Sequence, residues 1–202
     1  MDHQQRKEQI AEAAWRIIRQ EGLEGVSVRR VADEADVSLG SLRHYFPTQN
    51  ELLFFTMQLV TERVQQRIRS LPFTGEPRAD IEMAITELAP LDDERRAEAK
   101  VWLAFAGKAI SDPAIREISR QVHEALYDGF RGMIELLVSE RLTKEGLDPE
   151  RETRRLHALV DGLVVHGVTY PERMSGQELM RIIADHLDGL LAESPSPSAE
   201  RD

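Results

Sequence analysis

Two helix starts placed eleven residues apart constrain this chain more than anything else in it. They lie in Ser27 to Leu52, reading SVRRVADEADVSLGSLRHYFPTQNEL. Ser27 is a good N-cap, because its hydroxyl can accept one of the backbone N–H groups that open a helix. Val28, Val31, Ala32 and Ala35 then recur at helical spacing, while Arg29, Arg30, Asp33 and Glu34 take the opposite face. The pattern breaks at Ala35-Asp36-Val37, and Ser38 caps a second short helix carrying Leu39 to Tyr45. Two short helices joined by a turn of about three residues form a helix-turn-helix, in which the second helix enters the DNA major groove N-terminal end first.

The second helix has the composition of a surface that is read by a partner. Gly40 costs roughly 1 kcal/mol of helix propensity relative to Ala, which is useful only where a backbone must come close to something. Ser41, Arg43, His44 and Tyr45 offer hydrogen-bond donors, while Leu42 and Phe46 can turn inward. The same spacing also fits a small amphipathic hairpin with solvated charges.

The stretch VRRVADEADVSLGSLRHYFPTQNELL resembles the DNA-binding domain of the tetracycline-repressor (TetR-type) family of bacterial regulators. Ser27, Val31-Ala32, Ala35, Val37-Ser38, Gly40, Leu42, Tyr45-Phe46 and Glu51-Leu52 carry the match. Three positions depart from the family pattern. Asp36 stands where the turn usually has Gly, which Asp tolerates because it can adopt a left-handed backbone. Arg43 stands where Tyr is common, and Gln49 replaces a Lys expected to meet phosphate. The resemblance implies DNA contacts from Ser27, Arg29, Ser38, Leu39, Gly40, Ser41, Arg43, His44, Tyr45, Thr48 and Gln49. Arg29, Arg43 and Ser41 are the expected base readers. Ser27, His44, Tyr45 and Thr48 are expected on phosphates. The C-terminal part resembles the choline-responsive BetI-type branch, a likeness that does not assign choline as the ligand.

A net charge of −10 runs against DNA binding, but it is unevenly spread. Residues 1–47 hold 7 Lys+Arg and 8 Asp+Glu, a net of 7 − 8 = −1, and the remainder 19 and 28, a net of 19 − 28 = −9. Local field governs phosphate attraction over a screening length of about 8–10 Å. With no Cys in the chain, disulfides, thiolate metal sites and Cys nucleophiles are excluded. The polar N-terminal residues MDHQQRKEQ lack a signal core, and no apolar run reaches the roughly 18 residues of a membrane span, so a cytoplasmic protein without a membrane partner is expected.

The rest of the chain reads as helix, with no alternating strand pattern. A helix is expected over residues 4–21, ended by Gly22, with Trp15 closing the small core. Thr48 caps a longer helix to about Ser70, and Leu71–Pro77 (LPFTGEP) is the candidate linker. Further helices are expected over 78–90, 92–111, from Pro113 to about Lys144, 150–169 and 176–192. The organisation read is a helix-turn-helix domain over 1–47, a connecting helix over 48–70, a helical ligand-binding and dimerisation domain over 71–193, and a disordered polar tail over 194–202. The apolar faces of the last two helices fit either ordinary core or a four-helix dimer contact, and the resemblance implies the dimer.

Enzyme chemistry finds no foothold. None of the six His pairs with another at metal-ligand spacing; His157 and Asp161, four apart, are expected as a surface or interface pair. There is no Gly-rich phosphate loop, no nucleophile elbow, no cofactor motif and no metal motif. A ligand cavity would need a few convergent polar groups in an apolar wall. Its candidate lining is Trp102, Phe105, His123, Tyr127, Phe130, Met133 and His166; aromatic and Met residues at helical spacing are usually core, and the polar His123, Tyr127 and His166 fit a pocket better. The expected function is a homodimeric, non-enzymatic transcriptional regulator, a repressor released from a palindromic double-stranded operator by a small-molecule effector. The alternatives are ligand-independent DNA binding or a helical enzyme.

Overall fold

The computed structural model describes residues 2–192; the expected tail over 194–202 lies outside the described residues. The described residues form nine α-helices and one short 3-10 turn, with no strand beyond an isolated bridge between Thr143 and Leu191. They fall into two compact units. Unit 1 takes the residues up to Leu71 together with Glu87–Glu124, and unit 2 takes Pro72–Thr86 and the residues from Ala125 on.

Unit 1 begins with α1 (His3–Glu21), opened by a reciprocal capping box between Asp2 and Gln5 and closed at Gly22, whose φ of +77° suits glycine. The 3-10 turn Leu23–Gly25 leads to α2 (Val28–Glu34), α3 (Leu39–Tyr45) and the long α4 (Gln49–Arg69). Helices α1, α2 and α4 pack around Ile10, Ala14, Trp15, Ile17, Val31, Leu42, Phe46 and Leu52, all buried. This core does not stop at the helix-turn-helix. Val101 and Phe105 of α6 (Asp93–Ala109) belong to it, with Trp102 packed against it, as do Ile115 and Ile118 of α7 (Pro113–Ser139). An ion-pair network ties the end of α4 to α6. Arg67 donates to both oxygens of Glu98, at 2.8 and 2.7 Å, and to Glu87 at 3.0 Å, while Arg95 reaches Glu87 at 3.1 Å and Asp92 at 2.8 Å. Glu98 is buried, and its hydrogen bonds are the main reason the Arg67 guanidinium pKa is raised. A bidentate fork of this kind fixes direction as well as distance.

Unit 2 holds α5 (Pro77–Thr86), the later part of α7, α8 (Pro149–Thr169) and α9 (Gly176–Leu190). Three of its features differ from expectation. Helix α5 ends at Thr86 rather than at 90, because Pro90 disfavours the helical region at Ala89. Much of the linker is pinned: Asp80 accepts from the Thr74 N–H at 2.7 Å, the Thr74 hydroxyl at 2.9 Å and the Gly75 N–H at 2.9 Å. Helix α7 ends at Ser139 rather than near Lys144. Arg141 turns left-handed at φ +58° and the Leu142 N–H bonds the Leu137 carbonyl, closing the helix. Residues 142–144 then run beside the end of α9, where Lys144 N–H and Nζ donate to the Leu190 and Gly189 carbonyls at 3.0 and 2.7 Å.

Helices α8 and α9 pack face to face, burying Leu156, Val160, Leu163 and Val164 with Leu179, Ile183, Leu187 and Leu190. Leu159, Val168, Ile182 and Leu191 remain half-buried. His157, expected with Asp161 in a surface or interface pair, does not lie at the surface of the chain. It is buried, 5.0 Å ring to ring from Phe130 and 6.1 Å from Tyr127, with Nε2 3.5 Å from Asp161 Oδ2.

Candidate nucleic-acid interface

Helices α2 and α3 are each seven residues long, too short to persist alone. Side-chain caps and the shared core hold them. Ser27 Oγ accepts the Arg30 N–H at 3.1 Å, Ser38 Oγ the Ser41 N–H at 3.0 Å, and Thr48 Oγ1 the Glu51 N–H at 3.1 Å. Between the two short helices the backbone makes a Schellman turn. Asp36 occupies the left-handed position at φ +52°, and the Val37 N–H bonds the Ala32 carbonyl at 3.0 Å. Asp therefore serves where glycine is usual. Helix α1 braces this turn through Gln9 Nε2, 3.2 Å from the Ala35 carbonyl, and through Arg16, 2.8 Å from Glu34.

This bracing sets which face of α3 is free. Leu42 is fully buried and Phe46 nearly so, its ring 5.5 Å from Phe55 and roofed by Lys7. Ser38, Leu39, Gly40, Arg43 and His44 are exposed, and Ser41 and Tyr45 are half-buried. Ser27 and Arg29 at the start of α2, and Thr48 and Gln49 at the start of α4, are also exposed. Among the described residues, Arg29 and Arg43 make no ion pair or side-chain hydrogen bond, whereas Arg30 is held by Glu21 at 2.7 Å. That hydrogen bond raises the Arg30 pKa and occupies its guanidinium. A Cβ placed on Gly40 would meet only Ser38 Oγ, at 3.9 Å. Nothing inside the protein therefore requires glycine at this position.

Two side chains have roles that spacing did not disclose. Gln49 donates through Nε2 to the Val26 carbonyl at 2.8 Å, stapling the first turn of α4 to the residue before the α2 cap. His3, from the first turn of α1, lies 4.9 Å from Tyr45 and 6.3 Å from His44, ring to ring. No sequence signal joins residues more than forty positions apart, and only the α1–α3 packing brings them together. Gly25 is a third case: a Cβ there would come within 2.6 Å of Glu21 Cβ, so close packing under α1 demands glycine.

The sequence pattern of bacterial regulatory proteins of the tetR family matches residues 10–54, and that of the BetI-type transcriptional repressor C-terminal region matches residues 77–192. The chain belongs to the TetR family. It is 38% identical over 202 residues to the HTH-type transcriptional regulator PksA of Bacillus subtilis strain 168, covering 100% of this chain and 97% of that one. A transcriptional regulator of Rhodococcus sp. Rha1 shares the fold with a TM-score of 0.78 and 29% identity, covering 91% of this chain and 95% of the other. A putative regulator of Saccharomonospora viridis, solved in complex with choline, superposes with a TM-score of 0.79 at 20% identity, covering 95% and 100%. The all-α architecture, with an N-terminal helix-turn-helix and a C-terminal helical region, is thus the TetR fold, and the protein is a DNA-binding transcriptional regulator.

Within this TetR-family chain the seven candidate ligand residues separate by environment. Phe105 is 1% exposed in the core of unit 1, with Trp102 half-buried beside it and His123 exposed. In unit 2, Phe130 is 1% exposed, Tyr127 and Met133 are half-buried, and His166 is exposed with its ring edge-on to Tyr170 at 6.3 Å. The nearby Glu150 carboxylate raises the Tyr127 phenol pKa, with burial adding to it, and the buried hydroxyl has no hydrogen-bond partner among the described residues. No helix among the described residues is long and apolar enough to cross a membrane.

Proposed function

We propose that the protein is a cytoplasmic homodimeric repressor that binds a palindromic operator and leaves it when a small molecule binds. One observation supports the DNA contacts above the others. The α3 face that carries Arg43, His44 and an internally unneeded Gly40 is exposed, while Leu42 and Phe46 seal the other side. Arg43 and Arg29, with Ser41, read base edges, since a guanidinium can pair bidentately with guanine O6 and N7. Ser27, Ser38, His44, Tyr45 and Thr48 sit on phosphates, and Gly40 lets the strand come close. Gln49 holds the first turn of α4 to Val26. Residues 1–47 form the reading head, 48–70 connect it, and 71–193 carry the effector and dimer functions.

The dimer is built from the half-buried Leu159 and Val168 on α8, Ile182 on α9 and Leu191 just after it. It sets two heads at the roughly 34–36 Å that successive major grooves impose. Effector contacts fall to Tyr127, Met133 and His166 of unit 2, none of them fully buried, while Phe105 and Phe130 hold their own helices in place. The cycle is one of binding and release, without turnover. Effector and operator weaken one another reciprocally, and a coupling of about 1–3 kcal/mol gives roughly 5–150-fold release.

Selection of bound duplexes from a random pool tests the reading. It should return an inverted repeat, and sedimentation at micromolar concentration should return a dimer. Recovery of no preferred sequence, or a stable monomer, would overturn it. Screening small molecules against the protein–operator complex, beginning with choline, tests the release step.

A further inference from the structure

Leu39 is the first residue of α3 and remains 39% exposed, although Leu42, one turn on, is completely buried. A lone exposed leucine is ordinary on a protein surface; its position is what matters here. Ser38 on one side caps the helix, and Gly40 on the other has no side chain and open space around its Cβ direction. The leucine side chain is therefore open in part to solvent, with no bulky side chain at either adjacent position, at the end of the helix that leads into the groove. It can neither donate nor accept a hydrogen bond. Of the groups that base edges present in the major groove, the thymine 5-methyl is the apolar one.

We propose that Leu39 selects a thymine in each half-site by packing against its 5-methyl group. This rests on the proposal that α3 lies in the major groove, and it names a base that the arginines do not read. Contact between one methyl and a leucine removes about one methyl equivalent of apolar surface from water, a roughly three- to fivefold effect on binding.

Deoxyuridine isolates the interaction, because it differs from thymidine only by that methyl. Each thymine of the selected operator is replaced in turn, and binding of the native protein, Leu39→Ala and Leu39→Gln is measured for each duplex. One position per half-site should weaken native binding about three- to fivefold and leave both variants unaffected. Both variants should bind the parent operator more weakly than the native protein does, and their circular dichroism and melting should match it. Equal sensitivity of native protein and variants at every position overturns the proposal, as does a selected operator with no fixed thymine. Those outcomes leave DNA recognition by α3 intact. Failure to select any operator would remove the groove reading itself and this proposal with it.

Discussion

The reading head and the α8–α9 pair are both helical, yet they are specified in different ways. In the head, α2 and α3 span seven residues each and are defined at their ends: Ser27 and Ser38 cap, Asp36 turns the chain, and Leu42 and Phe46 anchor it. These signals act within a few residues, so the exposed face follows almost directly from the sequence. In the pair, α8 and α9 run for 21 and 15 residues with continuous apolar stripes. Periodicity gives the stripe but not its partner. Most of it is consumed within the chain, with Leu156, Val160, Leu179 and Ile183 buried, and a narrower margin is left for a second copy. Short helices thus expose their function through their caps, while long ones leave it to tertiary packing.

The largest losses are expected in the long helices. Phe105→Ala and Phe130→Ala should each cost about 3–5 kcal/mol of stability. Thermal or urea unfolding would check this, and a loss below about 1 kcal/mol would return these rings to a ligand-lining role. Arg43→Ala should follow at about 1–3 kcal/mol on the preferred operator, relaxing one base pair per half-site, while Tyr45→Phe weakens all sequences alike. A panel of single-base operator variants separates the two. Ser38→Ala should cost about 1 kcal/mol and Ser38→Gly only a few tenths, because glycine tolerates the cap position. Equal losses in denaturant melts would show that the cap bond contributes little.

The smallest effect is a pH dependence. Burial lowers the His186 pKa from its usual 6.5, against a raising influence from Glu152, and Arg155 adds to the lowering. The unfolded chain therefore takes up this proton first as pH falls. The native state loses stability below about pH 6.5, down to the depressed folded value, and is unaffected at higher pH. His186→Asn should flatten that limb of the melting profile. His166→Ala, on an exposed side chain, should stay within about 0.5 kcal/mol.

Most helix starts were legible because Ser27, Ser38, Thr48 and Pro113 are local signals. The end of α7 was not, because a left-handed Arg141 carries no glycine to announce it. The exposed face of α3 was readable from Gly40 and the polar residues around it. The staple from Gln49 to Val26 and the ring contact between His3 and Tyr45 depend on how α1 and α4 pack, and local pattern holds no record of that. The same holds for Arg67 and Glu98, whose pairing joins residues 31 positions apart. It ties α6 to the far end of the connecting helix α4. The ligand candidates fared differently because an aromatic stripe has the same appearance whether it seals a core or lines a cavity.

The placement of the tryptophans gives this protein a built-in optical probe. The chain has two, and both lie in unit 1, Trp15 in its core and Trp102 half-buried against it. Indole emission therefore reports on that unit alone, while far-ultraviolet circular dichroism sums the helices of both. If the two signals melt together, the units unfold as one cooperative body; if emission changes at a different denaturant concentration, they are separate folding units. A single titration followed in two channels, without labels, would measure how independently the DNA-reading half of the chain can loosen.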